Sequence, residues 1–185
     1  MTSVKRNQTG SSLIEVLIAV VVLSVGLLAY VGLHAESLQF NKMAQYRSIA
    51  TQLATDYINR VQANSLAAIN GAYDIENGYA PLAGPVAVPG CVDPINCTEP
   101  ELAAVDRALW NNNAVLALPG ASINMSRDVI VGAPAAGAGM GGTQTFDVWV
   151  MWQDPDDDSD DVIGGDCPDA AIPAGVRCLH YRFAI

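Results

Sequence analysis

The sequence GSSLIEVLIAVVVLSVGLLAYVGL, residues 10–33, contains the longest apolar block of the chain. Its last 18 residues, 16–33, carry no charge. A helix rises about 1.5 Å per residue and the hydrocarbon core of a bilayer is about 30 Å thick. Together with Leu13 and Ile14, the block is therefore long enough to cross a membrane as a helix.

The charges beside this block predict its orientation. Lys5 and Arg6 precede it and Glu36 follows it. Because positive flanks stay in the cytoplasm, we expect a cytoplasmic N-terminus, a span through a bacterial inner membrane, and the rest of the chain in the periplasm. A secretory signal peptide would have a shorter apolar region and a small-residue cleavage site at its end. An uncleaved single-pass anchor remains an alternative.

Glu15 is the residue that a plain anchor does not explain. A carboxylate near the start of a membrane span costs on the order of a few kcal/mol and is usually retained for a partner. It stands in the segment GSSLIEV, residues 10–16, after a short hydrophilic stretch with two positive charges. This segment resembles the cleavage site of the type IV prepilin family.

The resemblance implies a processing route. In that family a prepilin peptidase cuts after the glycine and methylates the new N-terminus, so Gly10 and Ser11 are the predicted processing residues. The new amine of Ser11 would lie one helical turn from Glu15, and the two charges can neutralise each other in a low-dielectric bundle. Glu15 is therefore the predicted assembly residue, with other pilins as partners. Ser11 departs from the phenylalanine or methionine that often follows the cut.

The helical pattern continues beyond the membrane segment. No proline interrupts residues 13–64, and apolar residues recur there every three or four positions. This stripe comprises Phe40, Met43, Tyr46, Ala50, Leu53, Tyr57 and Val61. We therefore expect one long helix that is apolar all round in its first half and amphipathic in its second.

The remaining residues predict a loop, a short helix and three strands. Glycine and proline punctuate residues 71–98, which indicates a loop. Thr98 and Glu101 form a capping-box pattern before an apolar face of Leu102, Val105 and Leu109. Strands are expected over residues 122–131, 143–153 and 177–185. In the second, Phe146, Val148, Val150 and Trp152 share one face and Asp147, Trp149 and Met151 the other.

These elements predict an α+β fold, with a long N-terminal transmembrane and amphipathic helix packed on a small antiparallel sheet. Four parts are expected: a leader (1–10), a transmembrane half of the helix (11–33), an amphipathic half (34–70) and a disulfide-bearing globular head (71–185). The arrangement is similar to the pilin architecture. Within that family, residues 105–120 (VDRALWNNNAVLALPG) and the N-terminal SLIEVLIA resemble the PilV group of minor pilins.

Four cysteines follow the membrane segment: Cys91, Cys97, Cys167 and Cys178. In a periplasm they are expected to form disulfides rather than a metal site or a nucleophile. Four cysteines allow three connectivities. We favour the sequence-local pairs, Cys91–Cys97 and Cys167–Cys178.

An acidic run suggests a metal site. Asp154, Asp156, Asp158 and Asp160 alternate as the first ligands of a calcium loop do. Ser159 and Gly165 stand where that motif needs a turning glycine and a bidentate glutamate, so we expect a solvated acidic loop. We expect no cofactor, and calcium remains the alternative.

Other functional classes find less support. The net charge of −10 would repel phosphate backbones, so we expect no nucleic-acid partner. The glycine-rich segment 137–142 lacks the Gly-Lys-Ser/Thr of a phosphate loop. His34 and His180 have no nucleophile elbow near them, so both are expected to be structural and the protein not to be an enzyme.

The leading hypothesis is a minor type IV pilin that is cleaved after Gly10, N-methylated, and joined with other minor pilins into a complex that primes pilus assembly. Some copies would then enter the filament at the cell surface. The alternatives are a minor pseudopilin of a type II secretion system and a calcium-dependent tip adhesin.

Overall fold

The computed structural model describes residues 12–75, 78–90, 97–128, 144–154, 167–168 and 172–185. The chain divides into two compact units, residues 1–42 and 43–185. The described helices are α1 (Leu13–Ala63), α2 (Ser65–Ile69) and α3 (Glu99–Ala117), and the described strands are β1 (Ser122–Asp128), β2 (Thr145–Gln153) and β3 (Val176–Ala184). The predicted α+β arrangement, a long apolar N-terminal helix with a small antiparallel sheet, is confirmed.

The part of α1 in the first unit is apolar on every side. Its large side chains are exposed all round, with Leu17 at 62% and Leu28 at 73%. A helix that is apolar all round belongs in a protein core or a membrane. By length and composition, α1 is the one helix among the described residues that could cross a membrane.

The part of α1 in the second unit carries the amphipathic stripe. Ala50, Leu53, Tyr57 and Val61 are buried as predicted, and Ala54 joins them. They share one hydrophobic core with residues of α3 and of the sheet. The helix ends at Ala63, and Asn64 separates it from the short α2.

The three strands form one antiparallel sheet in the order β1-β2-β3. The predicted inner face of β2 is buried, since Phe146, Val148, Val150 and Trp152 are each at most 3% exposed. The opposite face is also covered, because Met151 packs with Ile172, Val176 and the Cys167–Cys178 pair. As the central strand, β2 is therefore buried on both faces, which simple alternation does not predict.

Helix α3 begins as the capping pattern predicts but buries a different face. The Glu101 carboxylate accepts hydrogen bonds from the Thr98 backbone N–H and from the Thr98 hydroxyl, both at 2.9 Å. These two bonds lower the pKa of Glu101, and the bond from the backbone N–H contributes more. The apolar face of Leu102, Val105 and Leu109 is not the most buried one, since Leu102 and Val105 are only partly buried. The buried face consists of Ala103, Asp106, Ala108, Trp110 and Ala114. Small alanines let α3 approach the core closely around the single large Trp110, and Leu109 stays 37% exposed.

The predicted loop between α2 and α3 is held by hydrogen bonds to β1 and α3. Ile75 and Met125 exchange two backbone hydrogen bonds of 2.9 Å, and the Leu82 N–H donates to the Ala121 carbonyl oxygen at 2.9 Å. These contacts cover the outer edge of β1. Gly120 completes the turn after α3 with a φ of +55°, and a Cβ there would lie 2.7 Å from the Tyr79 hydroxyl oxygen.

Candidate functional site

The first turn of α1 contains the predicted assembly residue. The Ser12 carbonyl oxygen accepts hydrogen bonds from the Glu15 N–H at 2.9 Å and the Val16 N–H at 3.4 Å. The helix starts at Leu13, so the carboxylate of Glu15 lies where the positive end of the helix dipole stabilises it. The predicted processing residues, Gly10 and Ser11, lie outside the described residues.

The apolar segment after Glu15 is suited to close packing with neighbouring helices. The Ser24 hydroxyl donates to the Val21 carbonyl oxygen at 2.8 Å, so the polar atom is satisfied within the helix itself. Among the described residues, a Cβ added at Gly26 or Gly32 would meet nothing within 4 Å. Small residues at such positions allow the backbones of two membrane helices to approach each other.

Comparison with known families gives a match at the start of the chain. The model of the prokaryotic N-terminal methylation motif matches residues 5–31, which include the predicted cleavage site, Glu15 and most of the apolar block. The start of the chain therefore carries the methylation motif that type IV prepilin-like proteins share. The motif implies processing by prepilin peptidase and assembly with other pilins. Neither a curated protein nor a solved structure matched the chain.

In the second unit, a polar cluster joins the second part of α1 to α3. Asp106 accepts a hydrogen bond of 2.6 Å from the Tyr73 hydroxyl and one of 3.1 Å from Arg60. Asn64 donates to the Tyr73 hydroxyl at 3.2 Å and to the Glu99 carbonyl oxygen at 2.8 Å. Burial, followed by the hydrogen bond to Asp106, raises the pKa of Tyr73 and keeps its hydroxyl protonated.

Trp110 is the second anchor between these two helices. Its indole N–H donates to the Leu53 carbonyl oxygen at 2.8 Å, and its ring meets Tyr57 edge-on at 5.6 Å between centroids. The Asp and Trp of the segment that resembles the PilV group are thus both buried contacts of α3. The resemblance rested on the segment that contains both residues, and it did not predict their partners. The available signal was the four-residue spacing that places Asp106 and Trp110 on one helix face.

A second polar cluster lies on the other face of the sheet. Asp147 accepts hydrogen bonds from His180 Nε2 at 2.6 Å and from two nitrogens of Arg182 at 2.9 and 2.7 Å. Hydrogen bonding from Arg182 is the largest cause of the lowered pKa of Asp147, and burial opposes it. Trp149 stacks on His180 with centroids 4.8 Å apart. These contacts fix His180 within the sheet.

The two remaining predicted site groups are only partly described. Cys167 and Cys178 form a disulfide with a Cα–Cα distance of 5.5 Å, which is the pairing that the sequence analysis favoured. Cys97 is also disulfide-bonded, and Cys91, its predicted partner, lies outside the described residues.

Of the four aspartates considered for calcium, only Asp154 is described. It is buried, and its carboxylate accepts a hydrogen bond of 2.7 Å from Arg177. Asp156, Asp158 and Asp160 lie outside the described residues. Within the described ranges, no group of three or more His, Cys, Asp or Glu side chains is placed to hold a metal ion. The calcium alternative stays a prediction.

Proposed function

We propose that this protein is a minor type IV pilin of the PilV kind, which primes pilus assembly within a complex of minor pilins. The observation that carries the proposal is the methylation motif, which runs directly into the apolar part of α1 and includes Glu15 in its first turn. A cleavable positive leader, a carboxylate at the start of the helix and an apolar helix are the parts that a membrane-stored, filament-forming subunit needs.

Two further observations support an accessory subunit over a major one. Many major pilins carry a helix-bending proline near the position of Gly32, whereas this chain has none in residues 13–64. The segment that resembles the PilV group supplies the buried Asp106 and Trp110 of α3.

The proposed mechanism uses charge pairing rather than catalysis. The prepilin waits in the inner membrane until the peptidase cuts after Gly10 and exposes the amine of Ser11. That amine and a Glu15 carboxylate then neutralise each other in the helix bundle. A subunit out of register would leave a charge buried without a partner, at a cost of several kcal/mol. The proposal includes no catalytic residue, cofactor or nucleic acid.

The first experiment measures the mass of the N-terminal peptide in sheared filaments and in the membrane fraction of native cells. A peptide that starts at methylated Ser11 in filaments is the expected result. Processing at Ser11 with the protein confined to the membrane supports priming without incorporation. A chain that still begins at Met1 contradicts the proposal and indicates an ordinary anchor.

Replacing the assembly carboxylate separates processing from assembly. We expect Glu15→Val to leave cleavage at Ser11 largely intact and to abolish piliation, because the amine would lose its partner in the bundle. The matched control is Glu36→Val, which makes the same chemical change just beyond the apolar block and should leave pili normal. Normal piliation in the Glu15→Val strain would refute the pairing mechanism.

The methylation motif supports one alternative equally, a minor pseudopilin of a type II secretion system. Its helix start would work in the same way, but its host assembly would differ. Deleting the gene distinguishes the two. Loss of pili with normal protein export supports the minor pilin, and blocked export with pili retained supports the pseudopilin.

A further inference from the structure

A cavity of about 420 Å³ opens on the second unit between α3 and the loop that precedes it. Pockets that bind small ligands typically have volumes of roughly 300–1,000 Å³, and this cavity falls within that range. Tyr57, Trp110 and Ile123 of the core line it, together with Ala104 of α3 and with Leu82 and Val86 of the loop. It is therefore an extension of the hydrophobic core to the surface.

The loop wall of this cavity is held in place by two neighbouring asparagines of α3. Asn112 accepts a hydrogen bond of 2.7 Å from the Val86 N–H and donates one of 3.0 Å to the Val86 carbonyl oxygen. Asn111 donates to the Gly84 carbonyl oxygen at 3.1 Å. These contacts form the wall before any partner arrives, which lowers the entropic cost of binding.

Arg107 places a positive charge in the lining of the cavity. Among the described residues, its one hydrogen bond is to the Ala72 carbonyl oxygen at 3.4 Å, and it forms no ion pair with a carboxylate there. The chain has 19 acidic and 9 basic residues, and the described arginines of the sheet, Arg127, Arg177 and Arg182, each pair with an aspartate. Arg107 thus offers its guanidinium to a carboxylate from elsewhere.

The loop side of the opening is apolar. Val86, which lines the cavity, is 49% exposed, and Val88, which lies between the lining residues Ala87 and Pro89, is 42% exposed. In protein interfaces, most of the binding free energy comes from a few large side chains that fill pockets of this kind and are surrounded by a rim that excludes water. The cavity and its rim have the form of such a pocket.

We propose that the cavity receives an aromatic or large aliphatic side chain of another pilin-like subunit, and that a neighbouring carboxylate of that subunit pairs with Arg107. The apolar lining selects the side chain, and the guanidinium of Arg107, which pairs with no carboxylate among the described residues, selects the acidic residue beside it. This inference rests on the proposed function, in which the chain assembles with other pilins.

The test places a photocrosslinking amino acid at Val86 in the full chain within native cells. Irradiation should join the chain to a protein that carries its own N-terminal methylation motif, as identified by mass spectrometry. Ala104→Phe fills the cavity and should reduce that product at least tenfold. Asn113→Phe adds the same ring to the exposed side of α3 and should leave the yield unchanged. Arg107→Glu should also reduce the yield, whereas Arg107→Lys should keep most of it.

The folding of each variant is checked by the fluorescence of its tryptophans, since Trp110, Trp149 and Trp152 all lie in the second unit. An unchanged product in a folded Ala104→Phe variant, or a joined protein without the motif, overturns the inference. The N-terminal peptide is measured in the same cells. A chain that starts at Ser11 and forms no product with a pilin-like protein refutes the cavity's role alone, and a chain that starts at Met1 refutes the proposed function itself.

Discussion

Asp106 is a single carboxylate that connects three parts of the second unit. It belongs to α3 and is mostly buried, with 12% of its side chain exposed, and it accepts hydrogen bonds from Arg60 of α1 and Tyr73 of the loop. Arg60 also binds Asp56, whose side chain is 41% exposed. One arginine therefore holds a buried carboxylate and an exposed one. Because Asp106 is buried and Asp56 is exposed, we expect their two ion pairs with Arg60 to contribute very differently to the free energy of unfolding.

Asp106→Asn should lower the free energy of unfolding by about 1–3 kcal/mol, because the negative charge is lost and an NH2 group that cannot accept a hydrogen bond replaces one of the two accepting oxygens. Asp56→Asn is the matched control and should cost about 0.2–1 kcal/mol, as exposed ion pairs usually do. Chemical denaturation of the full chain in mild detergent, followed by tryptophan fluorescence, measures both. Equal effects of the two substitutions would contradict the assigned role of Asp106.

At the scale of elements, the loop between α2 and α3 depends on side chains of α3. The three consecutive asparagines 111–113 look like an interruption of the helical pattern, but two of them replace the backbone partners that the loop lacks. A loop whose carbonyl and N–H groups are satisfied in this way can lie against the core without belonging to a strand.

Asn112→Ala should expose the Val86 amide to solvent. Removing both hydrogen bonds costs on the order of 1 kcal/mol each, so amide exchange at Val86 should become about tenfold faster or more. Asn113→Ala is the matched control, because Asn113 is exposed and next in sequence. Hydrogen–deuterium exchange with mass spectrometry measures the difference. Equal protection in the two variants would show that the loop is held by other contacts.

At the scale of the whole molecule, the two units differ in how much of their apolar surface is buried. The first unit contains the apolar part of α1 that is suited to a membrane, and the second has a buried core of α1, α3 and the sheet. A small domain outside the cytoplasm commonly adds disulfides to such a core. The Cys167–Cys178 disulfide lies beside Met151, Ile172 and Val176, and so covers the second face of the sheet.

Cys167→Ala combined with Cys178→Ala should destabilise the second unit by about 2–3 kcal/mol, because the unfolded chain regains the entropy that a short closed loop removes. Tryptophan fluorescence during chemical denaturation is again the measurement. Reducing agent added to the wild-type chain should destabilise it at least as much, since it also opens the disulfide of Cys97. An unchanged denaturation midpoint in the double variant would contradict this prediction.

Much of the fold could be predicted from local patterns. The membrane segment, the long α1, the capped start of α3 and the positions of all three strands follow from hydrophobic runs, periodicity and turn residues, which act over a few neighbouring positions. The prepilin-like start of the chain is also local, because a peptidase reads a short linear segment. Glu15 could be recognised for the same reason, because a charged residue within an apolar run is visible in the sequence alone.

Only the tertiary structure determined which face of α3 is buried and which polar groups meet. The apolar side of α3 with Leu102, Val105 and Leu109 is not its packed side, because Ala103, Ala114 and Trp110 fit the space that α1 and the sheet leave. Asp106 meets Tyr73 and Arg60, and Arg107 lines a cavity, through contacts between residues far apart in sequence. Such contacts depend on shape and distance in the folded chain, and hydrophobic periodicity carries information about neither.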